Sequence, residues 1–211
     1  MNQPPRDLLI LGRGPHSAEM AEIVERINHA APTWNLLGFV SPDGKGAGTE
    51  RSGYPVLGGP EMLDAYPSAC VVADNEWPRT PELPEDRLVS LIDPSAFVSR
   101  TATIGAGTVL YPHCFVGLNA RIGKRIFAIS GCIINHDDVL EDYVVLASGV
   151  TLAGSVHVEQ GCYLGQSATV RQYLRIGAGS TLGMGAVIIR NVPPGSVMVG
   201  NPARVLRTVT G

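Results

Sequence analysis

Residues 98–140, VSRTATIGAGTVLYPHCFVGLNARIGKRIFAISGCIINHDDVL, carry an aliphatic side chain at nearly every sixth position. The column runs Val98, Ile104, Leu110, Val116, Ile122, Ala128, Ile134 and Leu140. It continues in register through Leu146, Leu152, Val158, Leu164, Val170, Ile176 and Leu182 to Ile188. Fifteen of these sixteen residues are Val, Ile or Leu, and a register held over 91 residues is not a chance pattern. A second column, four residues further on, reads Ala102, Thr108, Cys114, Ala120, Ile126, Cys132, Asp138, Val144 and onward to Val192, mostly small or aliphatic. Two positions in each hexad therefore point inward. A period of six is neither helical nor simple strand alternation. It fits short strands joined by corners and stacked as a parallel β-solenoid, with three hexads, or 18 residues, per triangular coil. Glycine often follows the aliphatic residue, as at Gly105, Gly117, Gly123, Gly165, Gly177 and Gly183. The expectation is that these glycines supply unusual corner dihedrals.

The remaining composition agrees with a folded chain rich in turns. Of 211 residues, 45% are apolar, 17% charged and 6% aromatic, with 25 glycines and 16 prolines. That length holds one large domain or two small ones. A net charge of −3 offers no attraction to nucleic acid or to an anionic membrane, and neither partner is expected. No apolar run approaches the roughly 18 residues of a membrane span, and the N-terminal run around DLLIL is too short for a signal peptide. Cys70, Cys114, Cys132 and Cys162 form no CxxC pair, so neither zinc nor a redox motif is indicated and a cytoplasmic location with reduced thiols is expected. Three of them fall on the inward column and read as core filler.

The hexapeptide pattern from about Pro94 to Arg204 resembles the left-handed β-helix acyltransferases. Supporting it is the tail VPPGSVMVGNPARVL, Val192 to Leu206. In that superfamily a G-x-P-A-[KR] segment closes the last coil and borders the coenzyme A groove, and Gly200, Pro202, Ala203 and Arg204 match it.

Upstream, residues 7–11 (DLLIL) lead into Gly12-Arg13-Gly14-Pro15-His16-Ser17, and Met20, Ile23, Val24 and Ile27 follow at helical spacing. Apolar runs at Leu36–Val40 and Ala69–Ala73, the segment Pro55–Gly58 and a possible helix at Glu61–Ala65 complete the pattern. Strand, glycine turn, helix and strand predict a small Rossmann-like α/β domain over residues 1–90, with the β-helix over 91–211. That order resembles the sugar O-/N-acyltransferases that include the sialic acid O-acetyltransferase and the bacillosamine-pathway UDP-amino-sugar N-acetyltransferase (NeuD/PglD-like). By that resemblance the first domain binds the acceptor through Gly14, His16, Asp43 and Asn75. The sequence departs from the family's UDP-sugar member in two places. Ser41-Pro42 stands where that member has an acidic pair, and residues 77–87, WPRTPELPEDR, carry three prolines that oppose a long helix.

His136, third in its hexad, faces outward. Asn135-His136-Asp137 matches the family's base-plus-acid sequence, which implies His136 as general base with Asp137 setting its tautomer and basicity. The resemblance also implies acetyl-CoA as donor, the Gly154 N–H as oxyanion donor, and coenzyme contacts at Gln166 and Met184. The family's second coenzyme-contacting histidine falls at Val145 here. His113 and His157 raise a rival, the γ-carbonic anhydrases, but their spacings of 23 and 21 residues from His136 lack the close pair of zinc ligands, so no metal is expected. His113 and His157 read as solvated or packing residues. The uninterrupted hexads leave no loop to wall a pocket, so a homotrimer with shared sites is expected. The chief alternative from another class is a non-catalytic scaffold.

Overall fold

The computed structural model describes residues 4–80 and 83–208. They fall into two compact units, Met1–Pro94 and Ser95–Gly211.

In the first unit, β1 (Arg6–Leu11) is the second strand in from one edge of a five-stranded sheet. It pairs in parallel with β2 (Trp34–Val40) on one side and, on the other, with Cys70–Ala73, the last strand of the sheet. Leu8, Leu9, Ile10 and Leu11 are all fully buried, which is why this strand is a continuous apolar run rather than an alternating one. Between β1 and β2 runs α1 (Pro15–Ala30), opened by Pro15, whose missing N–H costs nothing at that position. It buries Met20, Ile23 and Val24, and it touches both strands. In its last turn, Asn28 closes the return: its amide donates to Trp34 O at 2.8 Å and its oxygen accepts the Thr33 and Trp34 N–H groups. The sheet is completed beyond β2 by β3 (Glu50–Arg51) and β4 (Tyr54–Gly58), parallel β4 pairing with β2 and antiparallel β3 at the edge. The helix expected near residue 61 is one turn, α2 (Met62–Ala65). The last strand of the unit is thus β5 (Cys70–Ala73). Among the described residues of 77–87 there is no helix, as the prolines dictate; Pro81, one of the three, lies outside the described residues.

The second unit is a parallel β-solenoid of the left-handed type. Its two-residue strands pair with strands 18 positions away: Phe115 with Ile133, Arg121 with Val139, Phe127 with Val145. The two inward columns stack into one aliphatic core in which Val116, Ile134, Leu152 and Val170 are all fully buried. Each such side chain contributes about 1.5–3 kcal/mol of burial. Cys114, Cys132 and Cys162 sit in the same core, their thiols directed to carbonyls such as Ala147 O and Gly177 O at 3.2 Å. Burial pushes the Cys162 thiol up to about 11, so it behaves as an inert core group.

The corner glycines correct the dihedral argument. The left-handed conformation belongs to the residue two places later, as at Gly107, Asn119, Arg125 and Ser167. Gly105, Gly117 and Gly165 are needed for space instead. A Cβ on Gly117 would stand 2.7 Å from the backbone of Asn135 and His136 in the next coil, and one on Gly165 would stand 2.8 Å from Leu182 O and Met184 N.

Candidate active site

His136 and Asp137 form one corner of a coil, between the strands Ile133–Ile134 and Val139–Leu140. Asp137 takes the left-handed conformation (φ 60°) that turns the corner, so its side chain comes alongside the preceding imidazole. His136 Nδ1 lies 2.8 Å from Asp137 Oδ2. Asp137 Oδ1 accepts a second bond, from Asn119 Nδ2 at 3.1 Å, one coil earlier. Hydrogen bonding to His136, then to Asn119, holds the Asp137 carboxyl below its ordinary pKa. An ionised acceptor at Nδ1 selects the tautomer with its proton there and leaves Nε2 as the free lone pair. The His136 side chain is 58% exposed, and no described residue occupies Nε2.

Gly154 occupies the same corner one coil later. A Cβ there would stand 2.4 Å from both Cε1 and Nε2 of His136, so any side chain at this position would displace the imidazole. The two corners are tied by the Ser155 N–H to His136 O at 3.0 Å, while Gly154 O accepts from the Tyr173 N–H. The Gly154 N–H itself meets no acceptor among the described residues. A lone pair, a carboxylate behind it and an unshared N–H one coil away can remove a proton and stabilise a developing oxyanion.

Other expected residues lie elsewhere. Gln166 and Met184 share a different corner column, 18 positions apart, joined through the Gly185 N–H to Gln166 O at 2.8 Å, with Met184 exposed. Gly200, Pro202 and Arg204 belong to a terminal hairpin, Ser196–Gly200 paired antiparallel with Ala203–Thr208. Arg204 lines a pocket of about 230 Å³ with Ile188, Arg190, Met198 and Ala203.

In the first unit, Gly14 lines a pocket of about 220 Å³ with Gly12, Arg13, Pro42, Asp74 and Glu76. Asp43 pairs with Arg13 at 3.4 Å and accepts from Ser41 Oγ at 2.7 Å; Ser41 first, then Lys45, keeps its carboxyl below the ordinary range. His16 pairs with Glu19 along α1 at 3.2 Å, and the side-chain oxygen of Asn75 is buried without a hydrogen-bond partner. Asp74 escaped the sequence reading. It is buried, accepts from Ser17 Oγ at 2.6 Å and from the Glu76 and Trp77 N–H groups, and burial raises its pKa. It lies so close to Gly12 (φ 135°) that a Cβ there would meet its carboxylate at 2.0 Å. Asp138, behind His136, was visible in sequence only as the charged member of an inward column.

His157 has both ring nitrogens engaged: Nε2 lies 2.7 Å from Glu141 Oε1, and Nδ1 lies 3.1 Å from Arg175 Nη1. His113 is exposed at a corner. Among the described residues no group of three or more His, Cys, Asp or Glu side chains could hold a metal ion, and no helix is long and apolar enough to cross a membrane.

No family model matches the chain. It is 30% identical over 212 residues to a GDP-perosamine N-acetyltransferase of Escherichia coli O157:H7, covering 94% of this chain and 95% of that protein. A shorter match, 39% identical over 82 residues, is to the acyl-[acyl-carrier-protein]–UDP-N-acetylglucosamine O-acyltransferase of Pseudomonas aeruginosa (strain LESB58), of whose length it spans 32%. Among solved structures, the acetyltransferase domain of PglB from Neisseria gonorrhoeae in complex with acetyl coenzyme A superposes with a TM-score of 0.85 at 27% identity, covering 96% of this chain and 100% of that one. PerB from Caulobacter crescentus, in complex with CoA and GDP-perosamine, gives 0.82 at 25% identity, covering 94% and 96%. The chain belongs to the sugar acyltransferases of the hexapeptide-repeat β-helix family, and it is an acyltransferase.

Proposed function

We propose that this enzyme transfers acetyl from acetyl-CoA to an amino group, or alternatively a hydroxyl, of a nucleotide-linked sugar, with His136 as general base. The observation that carries the reading is the packing of His136 against Gly154: the ring edge bearing Nε2 fills the space a Cβ on Gly154 would take, while Nδ1 is held by Asp137. The acceptor nitrogen attacks the thioester carbonyl as its proton passes to His136 Nε2. Negative charge then develops on the carbonyl oxygen, and the Gly154 N–H stabilises it. Collapse of the tetrahedral intermediate breaks the C–S bond, and the imidazolium returns its proton to the departing thiolate. No protein nucleophile is needed, because the thioester is already activated.

Residues 1–90 serve in this reading as a Rossmann-like acceptor domain, with Gly14, His16, Asp43 and Asn75 toward the nucleotide sugar, and residues 91–211 carry the transfer. The pocket beside Gly14 supports the first assignment. The relatives named for GDP-perosamine support an amino-sugar acceptor. Gln166, Met184, Gly200, Pro202 and Arg204 take the coenzyme. A homotrimer completes the sites, in the cytoplasm, where acetyl-CoA is made and free thiols such as those here are kept reduced.

The test is a screen of nucleotide-linked amino sugars against thiol release, with His136→Ala in parallel. Turnover lost by about 10²- to 10⁴-fold in the variant supports the base assignment; full turnover removes it. Absence of a thermal shift with acetyl-CoA would point to a scaffold. Sedimentation as an active monomer would remove the trimer.

A further inference from the structure

The wall behind His136 departs from the rest of the solenoid. On the face that carries Ile133–Ile134, successive coils are joined by bonds such as Gly117 N–H to Ile134 O at 2.8 Å and Ala153 N–H to Val170 O at 3.0 Å. Between those two rungs the pattern is rewired. The Asn135 N–H turns inward to Asp138 Oδ2 at 2.7 Å, and Leu152 O takes the Asn135 side-chain amide at 2.8 Å instead. The other carboxylate oxygen, Asp138 Oδ1, accepts the Val156 N–H of the next coil at 2.7 Å.

Asp138 is completely buried and is the one charged residue in an inward column otherwise filled by small, aliphatic or hydroxyl side chains. Its column mates Thr108 and Ser180 also accept an N–H from the following coil, Ile126 at 3.3 Å and Ser196 at 3.2 Å, each through a single hydroxyl oxygen. A carboxylate offers two acceptor oxygens and no donor, which matches two converging N–H groups. Burial pushes its pKa up to about 7 in spite of both bonds, a cost that an alanine or valine in this core would not incur.

We propose that Asp138 is a positioning residue for acetyl transfer: its two oxygens bind the N–H just before His136 and the N–H just after Gly154–Ser155, holding the imidazole and the oxyanion donor at one spacing. The inference rests on the assignment of His136 as base. Asp138 touches neither substrate nor reacting atoms. It acts through the two corners that do, and a small displacement of such groups costs rate far more than it costs binding.

The experiment compares Asp138→Val, Asp138→Ser, His136→Ala and the double variant Asp138→Val/His136→Ala in the full chain, measuring kcat, KM for acetyl-CoA and the thermal midpoint. Asp138→Val is expected to lower kcat by about 10- to 100-fold, with KM changed less than about twofold and the fold retained. Asp138→Ser keeps one acceptor and falls between. In the His136→Ala background the Asp138→Val change is expected to add nothing, because residues acting as a unit are not additive. Wild-type kcat in Asp138→Val, or an equal further loss in the His136→Ala background, overturns the proposal and marks a purely structural carboxylate. If Asp138→Val fails to fold, full kcat in Asp138→Ser overturns it alone. If His136→Ala keeps full turnover, the base assignment falls first and this inference with it, an outcome distinct from His136→Ala losing turnover while Asp138→Val keeps it.

Discussion

Two histidines of the solenoid have a carboxylate at nearly the same distance, and they differ in everything else. His136 meets Asp137 at 2.8 Å and His157 meets Glu141 at 2.7 Å. Above His136 the next coil presents Gly154, which leaves Nε2 open. Above His157 it presents Arg175, whose guanidinium donates to Nδ1, while Glu159 in turn holds the arginine. A guanidinium cannot accept, so Nδ1 of His157 must, and Nε2 carries the proton toward Glu141. A histidine–carboxylate pair is therefore a base only where the remaining nitrogen has a lone pair and room for a substrate. Along a solenoid, the residue 18 positions later decides which it is.

The comparison breaks most plainly on paired alanine variants. His136→Ala should lose about 10²- to 10⁴-fold in kcat with an unchanged thermal midpoint, whereas His157→Ala should stay within about twofold of wild type. Comparable losses would erase the distinction drawn between the two corners. Next in size, Gly154→Ala puts a methyl group where the imidazole now lies. Its expected cost is about 100-fold in kcat with the coil intact, because Gly154 is not among the glycines in the left-handed region. A crystal structure of that variant with the His136 ring unmoved would remove the steric argument.

A smaller effect concerns pH and stability. Asp138 is raised to about 7 by burial, faced by His136 and Asp137 as its charged neighbours. Its unfolded value is about 3.9, so between about pH 4 and 7 the folded chain binds more protons than the unfolded one, and stability falls as pH rises through that window. The thermal midpoint of the wild type should drop from pH 5 to pH 8, and Asp138→Val should flatten that drop. An unchanged slope in the variant would show that the titration lies elsewhere. Smallest of all is Glu141→Gln. It weakens a half-exposed pair, with an expected loss under about 1 kcal/mol by denaturant titration and no change in kcat.

The hexad register made the solenoid legible without any structure, because each coil repeats one local rule and contacts only its neighbours. Within that register His136, third in its hexad, faces outward, and Asn135-His136-Asp137 stood out by its match to the family's base-plus-acid sequence. The first domain was less legible. Its strands appeared as apolar runs, yet Asp74, which closes the Gly12 turn with Ser17, carried no pattern, since its role comes from a partner 57 positions away. Gly117 and Gly165 are glycine because the next coil crowds them, and that crowding is invisible along a single hexad.

The amino-acid sequence by itself determined the stacking: aliphatic side chains every six residues leave no other way to bury them. Only the tertiary structure decided which histidine keeps an open ring nitrogen, because that depends on what lies one coil away. Gly154 beside His136, Arg175 beside His157 and the Asp138 carboxylate reaching Val156 are contacts between residues 18 positions apart, and they exist only once the chain has closed a full turn.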